Sequence, residues 1–164
     1  MTQFKTFILL IVVAMISLGC AAKTNEFNFD EENVEVQSIE EAESMVSFMI
    51  REPEVPFEIS DKTIRVVNVS SRIQAVEVSY TQTEDRSNLV LMMNNSNIDN
   101  PQGERGDKLD SGAQTYNQGD GHVSVLFWEH DKVNYLLISG QVVNENMVPL
   151  YTQSELIEIA NTIQ

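Results

Sequence analysis

The chain has a single cysteine, Cys20, among its 164 residues. One cysteine cannot form a disulfide within the chain, so the stability of the folded domain has to come from a packed core. Basic residues are also scarce, because ten lysine and arginine side chains stand against 25 aspartate and glutamate side chains, a net charge of −15. A strongly negative protein is repelled by nucleic acid and by anionic lipid surfaces. We therefore expect no nucleic-acid partner.

Signatures of catalysis and of metal binding are missing as well. The sequence has no Gly-x-Ser-x-Gly, no glycine-rich phosphate loop and no His-Glu-x-x-His. His122 and His130, on one strand, would lie ~26 Å apart and could not share an ion. Asn95, Asn97 and Asp99 imitate the first positions of a calcium loop, but the glycine and the glutamate that such a loop needs are absent. We expect a non-enzyme without metal or cofactor.

One long apolar run is present, at residues 7–18, after the positive charge of Lys5. It is shorter than the ~20 apolar residues that span a bilayer, but it suits the core of a signal peptide. With Gly19 and Cys20 directly behind it, the segment resembles the start of bacterial lipoprotein precursors, although Ser17 and Leu18 reverse the usual order. The resemblance implies cleavage before Cys20, a lipid on its thiol, and a place on the outer face of the cytoplasmic membrane. Ordinary secretion with cleavage after Ala22, or an uncleaved anchor, are the alternatives.

Composition divides the chain into a signal peptide at 1–19, an acidic tether at 20–37 and a single α+β domain at 38–164. The tether is rich in asparagine and glutamate and has no helical period, which predicts a disordered spacer with a reach of ~20 Å. Phe27 and Phe29 alternate with polar residues, so a short edge strand is the alternative there.

Two helices are predicted, one near each end of the domain. The first covers residues 39–51, because Ser38 and Glu41 form a capping box and the apolar residues are spaced with a helical period. The second covers residues 153–163, where Thr152 and Glu155 form another capping box. Apolar side chains share one face of each helix: Ile39, Ala42, Val46, Met49 and Ile50 in the first, and Leu156, Ile159, Ala160 and Ile163 in the second.

Alternating patterns and turn residues predict an antiparallel sheet of about six strands, on which the two helices pack. The strands are expected at residues 63–69, 73–81, 88–93, 112–117, 122–128 and 133–139. The last two are apolar on both faces in their middles, which indicates central strands. Trp128 and Tyr135 lie in them, where they could form a ligand platform but fit core packing better.

A polar loop of about eighteen residues is predicted at 94–111, longer than compact domains usually carry. We take it either as a binding loop or as an idle insertion, and we expect its replacement by a short linker to spare thermal stability. Its charged side chains are the candidate binding residues: Asp99, Glu104, Arg105, Asp107, Lys108 and Asp110.

Residues 37–164 resemble a bacterial family of unknown function, found as exported lipoproteins and as the outer segments of anti-sigma-factor-like membrane proteins. The resemblance is carried by Trp128, Tyr135 and Gly140 around the predicted central hairpin and by residues 154–160 of the last helix. It implies an α+β fold with a curved sheet and no established reaction. We expect a membrane-anchored, non-catalytic module that binds or senses an envelope protein or a small ligand. The alternative is a carrier that shelters a lipid or acyl chain between sheet and helices.

Overall fold

The computed structural model describes residues 32–68, 74–84 and 86–163. Cys20, the predicted signal peptide, Phe27 and Phe29 lie outside these residues. Within the described part the chain forms the strands β1 (Glu32–Val36), β2 (Asp61–Asn68), β3 (Gln74–Gln82), β4 (Ser87–Asn94), β5 (Glu104–Lys108), β6 (Gln114–Asn117), β7 (Ser124–His130), β8 (Val133–Val143) and β9 (Asn146–Val148), and the helices α1 (Ile39–Met45) and α2 (Gln153–Asn161). No helix among the described residues is long and apolar enough to cross a membrane.

The described strands form one antiparallel sheet in the order β1-β2-β3-β4-β8-β7-β6-β5, with β9 added to the end of β8. The prediction of an α+β fold built on an antiparallel sheet is confirmed, and β7 and β8 lie inside the sheet as expected. The predicted number of six strands is wrong, because β1, β5 and β9 were not recognised. β1 lies within the predicted spacer and pairs with β2, so the spacer prediction is wrong for residues 32–36.

Two hairpins at β8 close with two-residue turns in the left-handed region. Asp131 and Lys132 have φ of 52° and 65°, and Asn144 and Glu145 have φ of 49° and 66°. Turns of this kind match the twist of the flanking strands. The first hairpin is tighter than the turn predicted at residues 129–132, because His130 still pairs with Val133.

Both helices contact the same face of the sheet. Successive residues of a strand point to opposite faces, so alternate residues of β3, β4, β7 and β8 build a core beneath the helices. The largest side chains that are fully buried in this core are Tyr80, Leu89, Leu91, Met93, Leu126, Leu137 and Leu156. The opposite face carries neither α1 nor α2, and we call it the helix-free face.

Helix α1 is shorter than its sequence pattern predicts. It ends at Met45, where Val46 has an extended backbone (φ −121°), and Met49 is 65 % exposed instead of buried. The backbone amide of Ile50 donates a hydrogen bond to Glu43 Oε1 at 2.8 Å. A glutamate side chain of α1 thus pairs with a backbone N–H group beyond the end of the helix. Only one of the two hydrogen bonds of the predicted capping box forms. The Ser38 side chain accepts from the backbone amide of Glu41, but the Glu41 side chain accepts from the amide of Gln37 and not from that of Ser38.

Helix α2 follows its prediction closely. Thr152 and Glu155 form the reciprocal capping box, and Leu156, Ile159 and Ala160 are buried against the sheet. The residue before the cap is fixed as well, since Ser124 Oγ donates to the carbonyl oxygen of Tyr151 at 2.6 Å. The start of α2 is thereby tied directly to β7.

Candidate functional site

A band of side chains crosses the helix-free face at right angles to the strands. Its members oppose one another in register across six strands, from β2 to β6. The band begins with an ion pair and continues with apolar groups: Arg65, Glu77, Met92, Leu136, Phe127 and Tyr116. A second band beside it adds Val90, Ile138 and Val125, which form a small apolar cluster of their own.

Five of these apolar residues form the floor of a cleft of about 480 Å³. Met92, Leu136 and Ile138 contribute side chains from β4 and β8, and β7 contributes Val125 and Phe127. Pockets for small molecules commonly have a volume of about 300–1,000 Å³ and an apolar lining with a few polar groups. This cleft therefore has the size and the character of a small-molecule site.

The upper wall of the cleft is the segment 95–103, which joins β4 to β5 without forming a helix or strand. Ile98 and Pro101 contribute apolar surface from it. The polar part of the wall consists mainly of side-chain amides, which can both donate and accept hydrogen bonds: Asn94, Asn100, Gln102, Gln118 and Asn134. Asp120 is the one charged side chain among the described lining residues.

Hydrogen bonds from β8 fix the start of this wall. Asn134 Nδ2 donates to Asn94 Oδ1 at 3.0 Å and to the carbonyl oxygen of Ser96 at 2.6 Å. Asn94 Oδ1 also accepts a hydrogen bond from the backbone amide of Ser96 at 3.1 Å. The side-chain oxygen of Asn94, at the end of β4, therefore binds both β8 and the first residues of the segment 95–103. Asn95 anchors the segment to β3 through a bond from the Gln74 amide, 2.9 Å long.

The six charged residues predicted to form a binding loop do not come together. Glu104, Arg105, Asp107 and Lys108 are exposed on β5, an edge strand of the sheet, and Asp99 lies in the segment 95–103. Asp110 follows β5 and lines a different pocket. The prediction of one loop at 94–111 is wrong, because its second half pairs with β6. Replacing residues 97–107 would remove β5, so the expectation that such a deletion spares stability is withdrawn.

This second pocket, of about 360 Å³, lies between the end of α2, the end of β7 and the beginning of β8. Trp128 and Tyr135 stack in its wall with ring centroids 5.0 Å apart, and they are 2 % and 4 % exposed. They belong to the core, as the sequence favoured, and do not present a free platform. Burial raises the pKa of the Tyr135 hydroxyl, and the nearby Arg51 guanidinium acts against that shift.

His130 and the three residues that imitate a calcium loop have other partners. His130 Nε2 lies 3.4 Å from a carboxylate oxygen of Asp131, and the Asn95 oxygen accepts from the Gln74 amide. Asn97 Nδ2 points at Asp99 Oδ1, 3.2 Å away, so that amide offers a donor where a calcium loop needs an oxygen. Within the described part of the chain, no three histidine, cysteine or acidic side chains converge on a possible ion.

The ion pair at the end of the band makes the stability of the folded protein depend on pH. Arg65 Nη1 lies 3.3 Å from Glu77 Oε1, and the Glu77 side chain is 10 % exposed. Burial raises the pKa of the Glu77 carboxyl, and the Arg65 guanidinium opposes this only in part. The folded state therefore holds the proton more strongly than the unfolded state does, and stability falls as the pH rises through the raised pKa.

We expect Glu77→Gln to flatten the decline of the thermal midpoint between about pH 4.3, the ordinary glutamate pKa, and neutral pH. The amide is uncharged throughout and still accepts a hydrogen bond from Arg65. Thermal melts over this pH range check the expectation, with Glu129→Gln on the same face as the exposed control. A Glu77→Gln variant whose midpoint declines as steeply as that of the wild type would contradict it.

Sequence reasoning did not bring the residues of the cleft floor together, although a signal for the floor was present. The middles of β7 and β8 are apolar on both faces, and only one of those faces is needed for packing against helices. No family model, curated protein or solved structure matches this chain. The function of the protein therefore has to be inferred from the cleft and from the sequence.

Proposed function

We propose that this protein is a non-catalytic binding module of the bacterial envelope, held on the outer face of the cytoplasmic membrane by a lipid on Cys20. In this proposal the cleft of the helix-free face takes up a small, largely apolar molecule without negative charge. The observation that carries it is the floor of Met92, Leu136 and Phe127 under a wall of side-chain amides. The absence of negative charge on the ligand follows from the net charge of −15 and from Asp120 in the lining, both of which repel an anion.

The location rests on residues 1–20 and on the resemblance to lipoprotein precursors. The resemblance to the outer segments of anti-sigma-factor-like proteins, which also implies a curved sheet, supports a sensing role. A sensor needs a ligand site and a means of staying near the membrane. The cleft and the lipid-bearing cysteine would supply these two parts.

The packing beneath the helices favours this proposal over a carrier. A carrier of the kind considered from the sequence needs room for an acyl chain between sheet and helices. In that space Leu91, Leu137 and Leu156 are fully buried and pack with the other core side chains. The carboxylate of a fatty acid would also meet the negative field of the protein.

Binding of N-phenyl-1-naphthylamine, a neutral dye that fluoresces in apolar surroundings, tests the cleft. We expect Leu136→Trp to weaken binding about tenfold, since the larger side chain takes up the apolar surface that the dye would cover. Met49→Trp is the matched control, because Met49 is 65 % exposed outside the cleft. Equal affinities of the two variants would contradict the assignment of the cleft.

The sulfonated relative of this dye, 1-anilinonaphthalene-8-sulfonate, tests the exclusion of anions. It has the same aromatic rings and one negative charge, so we expect the protein to bind it more weakly at low salt. Added salt should reduce the difference in affinity between the two dyes, because salt screens exposed charges beyond about 10 Å at 0.1 M. Tighter binding of the sulfonate than of the neutral dye would overturn this part of the proposal.

A further inference from the structure

One polar atom in the wall of the cleft has no hydrogen-bond partner in the part of the chain that the structure describes. The Oδ1 atom of Asn134 is buried and accepts no hydrogen bond from any described residue, although the side chain lines the cleft and the residue is 1 % exposed. Buried amide oxygens in proteins are nearly always hydrogen-bonded, because an unpaired one costs free energy. This oxygen therefore distinguishes the site from an ordinary apolar groove.

The orientation of the Asn134 amide is fixed by its other end. Its Nδ2 atom faces three oxygens, namely Asn94 Oδ1 at 3.0 Å, the Ser96 carbonyl at 2.6 Å and Ser96 Oγ at 3.3 Å. Rotating the amide by half a turn would place Oδ1 against the carbonyl oxygen of Ser96 and would lose that bond. In the amide orientation that these hydrogen bonds favour, Asn134 Oδ1 thus remains unpaired.

The unpaired oxygen requires a donor, and the cleft supplies a route to it. Less than 1 Å² of Oδ1 is exposed, and Asn134 lines the cleft, so we expect a donor on a molecule seated in the cleft to reach the oxygen when the covering segment shifts. Ile98 and Pro101 belong to that segment, which has no strand or helix of its own. Segments with few backbone hydrogen bonds open at low cost in free energy.

From this geometry we infer that the ligand of the cleft carries an N–H or O–H donor at one end of an apolar body, and that Asn134 Oδ1 accepts from that donor. The inference rests on the proposed function and adds the chemical class of the ligand. The apolar body covers Met92, Leu136 and Phe127, while the donor end lies against β8 where Asn134 meets the covering segment. A hydrocarbon of the same shape fills the same space but leaves the oxygen unpaired.

Indole and indene form a matched pair of probes for this inference. The two molecules have nearly the same shape, and indene carries a CH₂ group where indole has its N–H donor. We expect the wild-type protein to bind indole about tenfold more tightly than indene, because only indole pairs the buried acceptor. Titrations followed by nuclear magnetic resonance of the labelled protein measure both affinities.

Two variants assign the preference to Asn134. In Asn134→Ala the preference for indole is expected to disappear, whereas Asn97→Ala, which removes an exposed amide of the covering segment that does not line the cleft, should keep it. If Asn134→Ala does not fold, the side-chain carbonyl carbon of Asn134 in the wild type gives the answer. Its chemical shift is expected to move with indole and to stay nearly constant with indene.

The outcomes separate this inference from the proposed function. Equal affinities for indole and indene would overturn the donor inference and leave the apolar cleft in place. A preference that survives in Asn134→Ala, or an Asn134 carbonyl shift that responds equally to both probes, would overturn it as well. If neither probe shifts the resonances of the cleft, the proposed function fails together with the inference.

Discussion

Replacing Ile159 by aspartate is expected to lower the free energy of unfolding by roughly 3–4 kcal/mol, since the change deletes a buried aliphatic group and introduces a carboxylate without a partner. Ile159 is 6 % exposed on α2 and belongs to the core beneath the helices. Leu156 and Ala160 lie on the same face of α2, so the new charge would enter the hydrophobic core. Desolvating a carboxylate in such a place is costly even if it takes up a proton.

Urea unfolding measures this loss, with Ser154→Asp as the matched control. Ser154 is exposed in the first turn of α2, where a negative charge interacts favourably with the helix dipole. The control should therefore unfold at or slightly above the wild-type midpoint. A midpoint of Ile159→Asp that equals that of the control would mean that α2 does not contribute to the core.

The sequence predicts well those elements whose signals are local. Thr152 and Glu155 mark the start of α2 within four residues, and the apolar positions behind them repeat with the helical period. The hairpin of β7 and β8 is likewise visible, because two apolar runs flank a short polar turn. In these elements the nearest neighbours in the chain already favour the final structure.

The three unrecognised strands depend on pairing that is distant in the chain or poorly marked by hydrophobicity. β5 has the sequence Glu-Arg-Gly-Asp-Lys and offers no apolar alternation. Its position comes from β6: Thr115 Oγ1 donates to the Asp107 carbonyl, and Gln114 Nε2 donates to the Gly106 carbonyl at 2.6 Å. Gly106 also permits the close approach, because a Cβ there would lie 2.7 Å from Thr115 Oγ1.

The cleft could not be located from the sequence for a different reason. Its floor combines β4, β7 and β8, and its wall comes from the segment 95–103. One apolar face of the sheet remains uncovered because both helices pack on the other face. No short-range sequence pattern shows on which face a helix will pack. The Asn94, Ser96 and Asn134 cluster likewise exists only when β4 and β8 are neighbours.

Replacing Cys20 by serine is expected to abolish lipid attachment and to leave the precursor unprocessed. The thiol is the group that takes the diacylglyceryl chain in proteins with this type of signal, and a serine hydroxyl does not replace it. Two acyl chains hold a protein at a membrane stably, whereas a single chain gives only marginal binding. The acidic protein should thus need the complete anchor, because its charge of −15 opposes contact with anionic lipids.

Mass spectrometry of the mature amino terminus, from cells expressing the full chain, decides between the three readings of the signal. The lipoprotein reading predicts that the wild type begins with an acylated Cys20, and that Cys20→Ser retains residues 1–19. Ala22→Ser is the control and should be processed as the wild type is. A wild-type chain that begins at Lys23 without lipid would identify ordinary secretion, and an intact Met1 in the wild type would identify an uncleaved anchor. Either result removes the lipid from the proposal and leaves the ligand cleft to be judged by its own experiments.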